Sequence, residues 1–239
     1  MKHVIHVVTM LALAACSSKP SVKPHVFVLN GLDIPVVVEI ESEGGKARLE
    51  LAPRSRTTTG AHGKATIKVT TKSGALISSE SDIPLGKPKS CYYVYNVMGA
   101  AAYVNEEVVY GKGFGTPTYY RRAGEITEQE CGVSFAFVDP PQEISVNRYG
   151  PAGDNRSWLH DEGDGGWVVA VNALLDDTGQ WASQSHGKAQ RIVRTVVTHD
   201  PNNPALPAIA ARLRQLQLAV PEPSPGNLLE RPKRRPRSI

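Results

Sequence analysis

Residues 36–51, "VVVEIESEGGKARLEL", leave the backbone few choices. Val36, Val38 and Ile40 alternate with Val37, Glu39 and Glu41; Gly44-Gly45 interrupts; then Ala47, Leu49 and Leu51 alternate with Lys46, Arg48 and Glu50. A period of two sends successive side chains to opposite faces of a strand, and a glycine pair between two such runs permits a tight reversal. The stretch therefore predicts a β-hairpin with one apolar face, which needs a second layer to cover it.

The same grammar extends to both sides. "HVFVLNG" precedes the hairpin, and "GKATIKVTTKSGALISS" follows it with Ala65, Ile67 and Val69 pointing inward. Then come "CYYVYNVM", "AYVNEEVVYG" and "VSFAFVD". Short alternating runs with turn residues between them indicate sheets with one wet face, whereas parallel sheets covered on both faces read as continuous apolar runs separated by helices. The glycines of "YGKGFGTP" lack the GxxxxGK[ST] spacing of a phosphate loop and read as a connection between strands.

After residue 147 the pattern changes. Turn formers crowd residues 148–164, which read as a connector. Trp167, Val168, Val171, Leu174 and Leu175 then share one helical face; a second helix is expected over residues 185–198 and a third over residues 205–218. The expected fold is α+β: an antiparallel β-sandwich or a partly closed barrel over residues 25–147, followed by a small helical segment over residues 165–219. Residues 220–239 are proline-rich and basic and read as an extended tail.

The stretch "AQRIVRTVVTHDPNNPALPAIAARL", residues 189–213, resembles the end of one tetratricopeptide unit entering the next, with Ala189 in the small packing position and Asp200-Pro201-Asn202 in the turn. No second unit of that length is visible. Such units bury their apolar faces by stacking on one another, so a lone helical pair is expected to dock on the sheets.

The chain opens "MKHVIHVVTMLALAACSSKP". Residues 4–15 are apolar except for His6 and Thr9, a run too short for a bilayer, which takes about 20 residues, but suited to the core of a secretory signal. Leu13-Ala14-Ala15-Cys16 resembles the lipobox of bacterial lipoproteins. The resemblance implies removal of residues 1–15, acylation of Cys16, and a tether over residues 16–24. Ser17, standing where an aspartate resembles a retention signal, implies an outer-membrane lipid anchor, with the periplasmic face as the expected location. Cys91 and Cys131 are then an even pair in an exported chain and are expected to form a disulfide.

Of 27 Lys and Arg residues, Arg231, Lys233, Arg234, Arg235 and Arg237 sit in the last nine positions, so the formal charge of +4 belongs to the tail. That cluster can contact an anionic polymer, lipid or protein groove, and nucleic acid is not expected for an exported chain. All eight tyrosines fall within residues 92–149; Tyr119, Tyr120, Arg121 and Arg122 make a second candidate contact patch.

The sequence offers little chemistry. Ser183, Ser185 and His186 lie close together without a nucleophile elbow, and His62, His160, His186 and His199 are scattered with no HExxH. "HDEGDGG", residues 160–166, groups carboxylates without the order of a calcium-binding loop and reads as charge near a helix start. No cofactor, metal site or catalytic set is expected. The expected function is a non-enzymatic, lipid-anchored envelope protein acting as a binding or structural module for an envelope protein or anionic polymer. The alternatives are an envelope hydrolase whose residues converge from distant strands, and a tetratricopeptide-like adaptor.

Overall fold

The computed structural model describes residues 25–85, 92–110, 120–122, 128–130, 132–142 and 154–223. Its strands are β1 (His25–Asn30), β2 (Val36–Ser42), β3 (Gly45–Leu51), β4 (Ser55–Gly60), β5 (Lys64–Thr71), β6 (Leu76–Pro84), β7 (Tyr92–Asn96), β8 (Tyr103–Tyr110), β9 (Tyr120–Arg122), β10 (Glu128–Glu130), β11 (Val133–Ala136) and β12 (Asp154–Asp161). Three helices follow, α1 (Trp167–Leu175), α2 (Ala182–His199) and α3 (Leu206–Gln215). The protein is α+β.

The described strands fall into three four-stranded sheets, in the orders β10-β7-β1-β4, β3-β2-β5-β6 and β11-β12-β8-β9, and none closes into a barrel. The hairpin forms in the expected register, with Val36 opposite Leu51 and Ser42 opposite Gly45, whose φ of +121° suits glycine. Ala65, Ile67 and Val69 are buried while Lys64, Thr66 and Lys68 are exposed, as the period of two requires.

Two pairings depart from the antiparallel expectation. β1 runs parallel to β7, and β11 runs parallel to β12. For β1 and β7 the reason lies in burial on both faces. Val26 and Val28 of β1, with Tyr93 and Tyr95 of β7, enter a large apolar cluster shared with β2, β5, β6 and the helices. Leu29 and Val94, on the reverse side, enter a second cluster with Tyr103, Val133, Ala136 and Leu159. Parallel strands are found where both faces are covered, and the second sheet supplies the long crossover that a parallel pair demands. Residues 154–161, expected within a connector, form β12. Their partner β8 spans the full register from Tyr110 opposite Asp154 to Tyr103 opposite Asp161.

The helices lie close to their expected places. Trp167, Val171, Leu174 and Leu175 of α1, Ala189, Ile192, Val193 and Val196 of α2, and Ile209 and Leu213 of α3 are all buried in the larger cluster. No repeat-like stack of helical pairs occurs among the described residues; the stretch resembling a tetratricopeptide unit spends its apolar face on the core shared with the sheets.

Tight backbone contact fixes the end of β1. A Cβ on Gly31 would lie 2.0 Å from the Ala100 carbonyl oxygen. Those neighbours are backbone and cannot swing aside. Gly31→Ala is expected to destabilise the fold by roughly 3 kcal/mol or more, the upper range for overpacking, read as a lowered urea midpoint; an unchanged midpoint would show that this contact is not tight.

Candidate functional site

The loop between β1 and β2 carries Asp33 into a place where four distant parts of the chain meet. Its Oδ1 accepts a hydrogen bond from Arg54 Nε at 2.5 Å. Its Oδ2 accepts from Trp167 Nε1 at 2.7 Å and from Asn203 Nδ2 at 2.8 Å. Asn203 also donates to Asp200 Oδ2 at 2.7 Å and accepts from the Ala205 N–H at 3.1 Å. Trp167 is fully buried, and its backbone N–H binds the Gly31 carbonyl at 2.8 Å. Burial opposes ionisation of Asp33, but the hydrogen bonds from Arg54, Asn203 and Trp167, with the charge of Arg54, outweigh it and hold the carboxyl below its ordinary value.

The acidic turn after β12 belongs to the same assembly. Arg54 also pairs with Asp164, whose other oxygen accepts the Gly166 N–H at 2.9 Å just before α1. Arg56 pairs with Asp161. These carboxylates are engaged by two arginines from the start of β4 and the loop before it. Among the described residues no group of three or more His, Cys, Asp or Glu side chains converges as metal ligands would.

A second constellation lies on one face of the β8–β12 ribbon. His160 Nε2 is 2.9 Å from Glu106 Oε2, and its ring stacks on Trp158 at a centroid distance of 3.8 Å. Both side chains are mostly covered, at 27% and 17% exposure. Ser157, next to Trp158 in β12, points to the opposite face, where its hydroxyl binds Asn105 Oδ1. A histidine–carboxylate pair activates a nucleophile only where a hydroxyl, thiol or water lies within hydrogen-bond reach of the imidazole, and the Ser157 hydroxyl, bonded to Asn105, is not in that place.

The serines near His186 follow the same logic. Ser185 donates its hydroxyl directly to Asp177 Oδ2 at 2.6 Å, and Asp177 Oδ1 accepts the Gly179 N–H at 2.9 Å. The bond from Ser185, with that from the Gly179 N–H, holds the Asp177 carboxyl below its ordinary pKa. The carboxylate therefore binds the serine itself, whereas a hydrolytic triad places histidine between them. Burial pushes the pKa of His199, at the end of α2, below the ordinary histidine value.

Of the residues singled out from sequence, Tyr120, Arg121 and Arg122 form β9, paired with Asn105, Val104 and Tyr103 at a sheet edge. Tyr119, Cys16, Cys91, Cys131, Arg231, Lys233, Arg234, Arg235 and Arg237 lie outside the described residues. Tyr93, Tyr95, Tyr103 and Tyr110 are buried, so packing uses much of the tyrosine-rich interval. The Asp33 assembly was not anticipated; its one local signal is a lone carboxylate between Leu32 and Ile34. Comparison of the chain with protein-family models, curated proteins and solved structures gives no match.

Asp33→Ala leaves the buried Trp167 Nε1–H without its acceptor and takes from Asn203 one of the two acceptors of its amide, and is expected to cost about 3 kcal/mol, measured by chemical unfolding. Because the Asp33 pKa is depressed on folding, its stabilisation is complete above the ordinary carboxylate value near ~4 and disappears as pH falls through the folded value. Asp33→Asn is accordingly expected to flatten the acid limb of the stability–pH curve below about pH 4; an unaltered limb would mean that Asp33 does not carry this linkage.

Proposed function

We propose that the chain is a non-enzymatic protein of the cell envelope, anchored through acylated Cys16 in outer-membrane lipid at the periplasmic face. Its sheets pack as a β-sandwich flanked by helices and serve as a binding or structural module. The partner is an envelope protein or an anionic polymer, with the basic residues Arg231, Lys233, Arg234, Arg235 and Arg237 as an electrostatic contact.

The observation that carries this reading is the use made of the charged groups. Asp33, Arg54, Arg56, Asp161 and Asp164 come from widely separated positions and are engaged with one another at the junctions of sheets and helices. Groups so committed to holding the fold are poorly placed to turn over a substrate. Among the described residues the hydrolase alternative draws its support from His160 and Glu106, and the direction of Ser157 weighs against it.

A disulfide between Cys91 and Cys131 is part of the proposal. β7 and β10 pair antiparallel with Tyr92 opposite Glu130, the residues that follow Cys91 and precede Cys131 in the chain. That pairing of the neighbouring residues supports the disulfide, which is otherwise argued from an even pair of cysteines in an exported chain.

The test is the intact mass of the protein extracted from its own membrane, before and after reduction and alkylation. The expected result is a chain beginning at Cys16 with added acyl mass and two thiols that alkylate only after reduction. An unmodified chain beginning at Met1 would overturn the anchor, and two thiols free without reduction would overturn the disulfide. Purification from detergent-extracted envelope is expected to enrich one stoichiometric partner or polymer; clean isolation of the protein alone on repetition would count against the binding role.

A further inference from the structure

We infer that the aromatic lip at the start of β1 is a membrane-facing surface, seated against the headgroup region of the leaflet that carries the anchor. This rests on the anchored reading above and goes beyond it by naming which face of the fold meets the lipid.

The lip follows from the two-sided burial of β1. Leu29 is covered by the third sheet, through the cluster containing Tyr103 and Leu159. Phe27, two residues nearer the chain entry on the same face, is only half-buried. Its ring lies 5.6 Å from Tyr92 and 5.3 Å from Phe137, and Tyr92 stacks at 6.3 Å on the exposed His25. Val138, next to Phe137, is 61% exposed. Phe137 itself has a φ of +55°, a left-handed conformation that is rare for a bulky residue. Its N–H binds the Leu159 carbonyl at 2.7 Å, and the Arg56 guanidinium sits 4.9 Å above its ring. The backbone is thus held in a costly shape that keeps this ring against Phe27.

The occupant is argued from the chain that enters here. Cys16 and His25 are nine residue steps apart, so even a fully extended tether reaches only about 30 Å. Everything near His25 then stays at high local concentration beside the leaflet. Lys19 and Lys23 lie in that tether and favour an anionic surface. Partly buried aromatic rings bordered by the exposed His25 and Val138 suit the boundary between headgroups and acyl chains.

The test is hydroxyl-radical footprinting, read by mass spectrometry, of the full acylated chain in vesicles of phosphatidylethanolamine and phosphatidylglycerol. The comparison is the Cys16→Ala chain free in buffer, with the exposed Trp181 as an internal reference. The expected result is severalfold slower oxidation of Phe27, Tyr92 and Phe137 on vesicles with Trp181 unchanged. If the chain is acylated and vesicle-bound but the rings oxidise equally fast, or Trp181 is shielded just as much, the surface is wrong and the anchor stands. If the mass shows no acyl group, the anchored reading fails, and unacylated chain mixed with vesicles decides the lip: protection supports a lipid surface, and none overturns it. Protection by isolated envelope glycan with none by vesicles would overturn it in favour of a polymer contact.

Discussion

The carboxylate of Asp33 fastens together parts of the chain that are remote in sequence. Its partners Arg54, Trp167 and Asn203 lie 21, 134 and 170 residues away. Such a group is costly to bury unless every oxygen is satisfied, and here both oxygens accept hydrogen bonds from different elements. The value of the arrangement is selectivity more than gross energy. Apolar contacts between helices and sheets tolerate sliding, whereas Asp33 accepts only the placement in which the start of α1, the turn before α3 and the loop before β4 arrive together. Any other docking strands a charge.

β1 complements that fastening from the apolar side. Its alternate side chains enter two different clusters, so the strand ties the second sheet and helices to the third sheet. Asparagines finish both strands of the parallel pair. Asn30 binds the Ile34 and Ala52 carbonyls and the Leu32 N–H; Asn96 binds both the carbonyl and N–H of Ala101. In each case a buried amide satisfies backbone groups that the strand no longer pairs, and the loop that follows is held to the strand end. Pairings between residues so far apart in sequence also imply slow folding relative to a helical bundle of this size.

Much of this was legible where burial is one-sided. The β2–β3 hairpin and β5 follow from alternation, and the three helices from the spacing of Trp167, Val171, Ile192, Val196, Ile209 and Leu213. The rest was hidden for identifiable reasons. β4, "SRTTTG", has no large apolar side chain to alternate, and among the described strands it is an edge strand paired to β1 alone. β12, "DNRSWLHD", is dominated by polar residues, and its strand character comes from pairing with β8. The parallel pair was misread because "HVFVLN" is too short for continuous burial to look different from alternation. The Asp33 assembly leaves almost no local trace, since each member is an ordinary polar residue in a loop or at a helix end until the chain folds. The same holds for His160 and Glu106, which only the β8–β12 register brings together.

The position of β1 has a mechanical side. It is paired along its length to antiparallel β4, from His25 opposite Gly60 to Asn30 opposite Ser55, and to parallel β7 on its other edge. A force applied at residue 25 along the strand axis loads both ladders in shear, so their bonds share it instead of opening one after another. Forced extraction is governed by the unfolding rate, not by equilibrium stability. The strand that begins at residue 25 is thus one whose withdrawal would disrupt both apolar clusters at once, so tension at that point is borne by an element packed on both its faces.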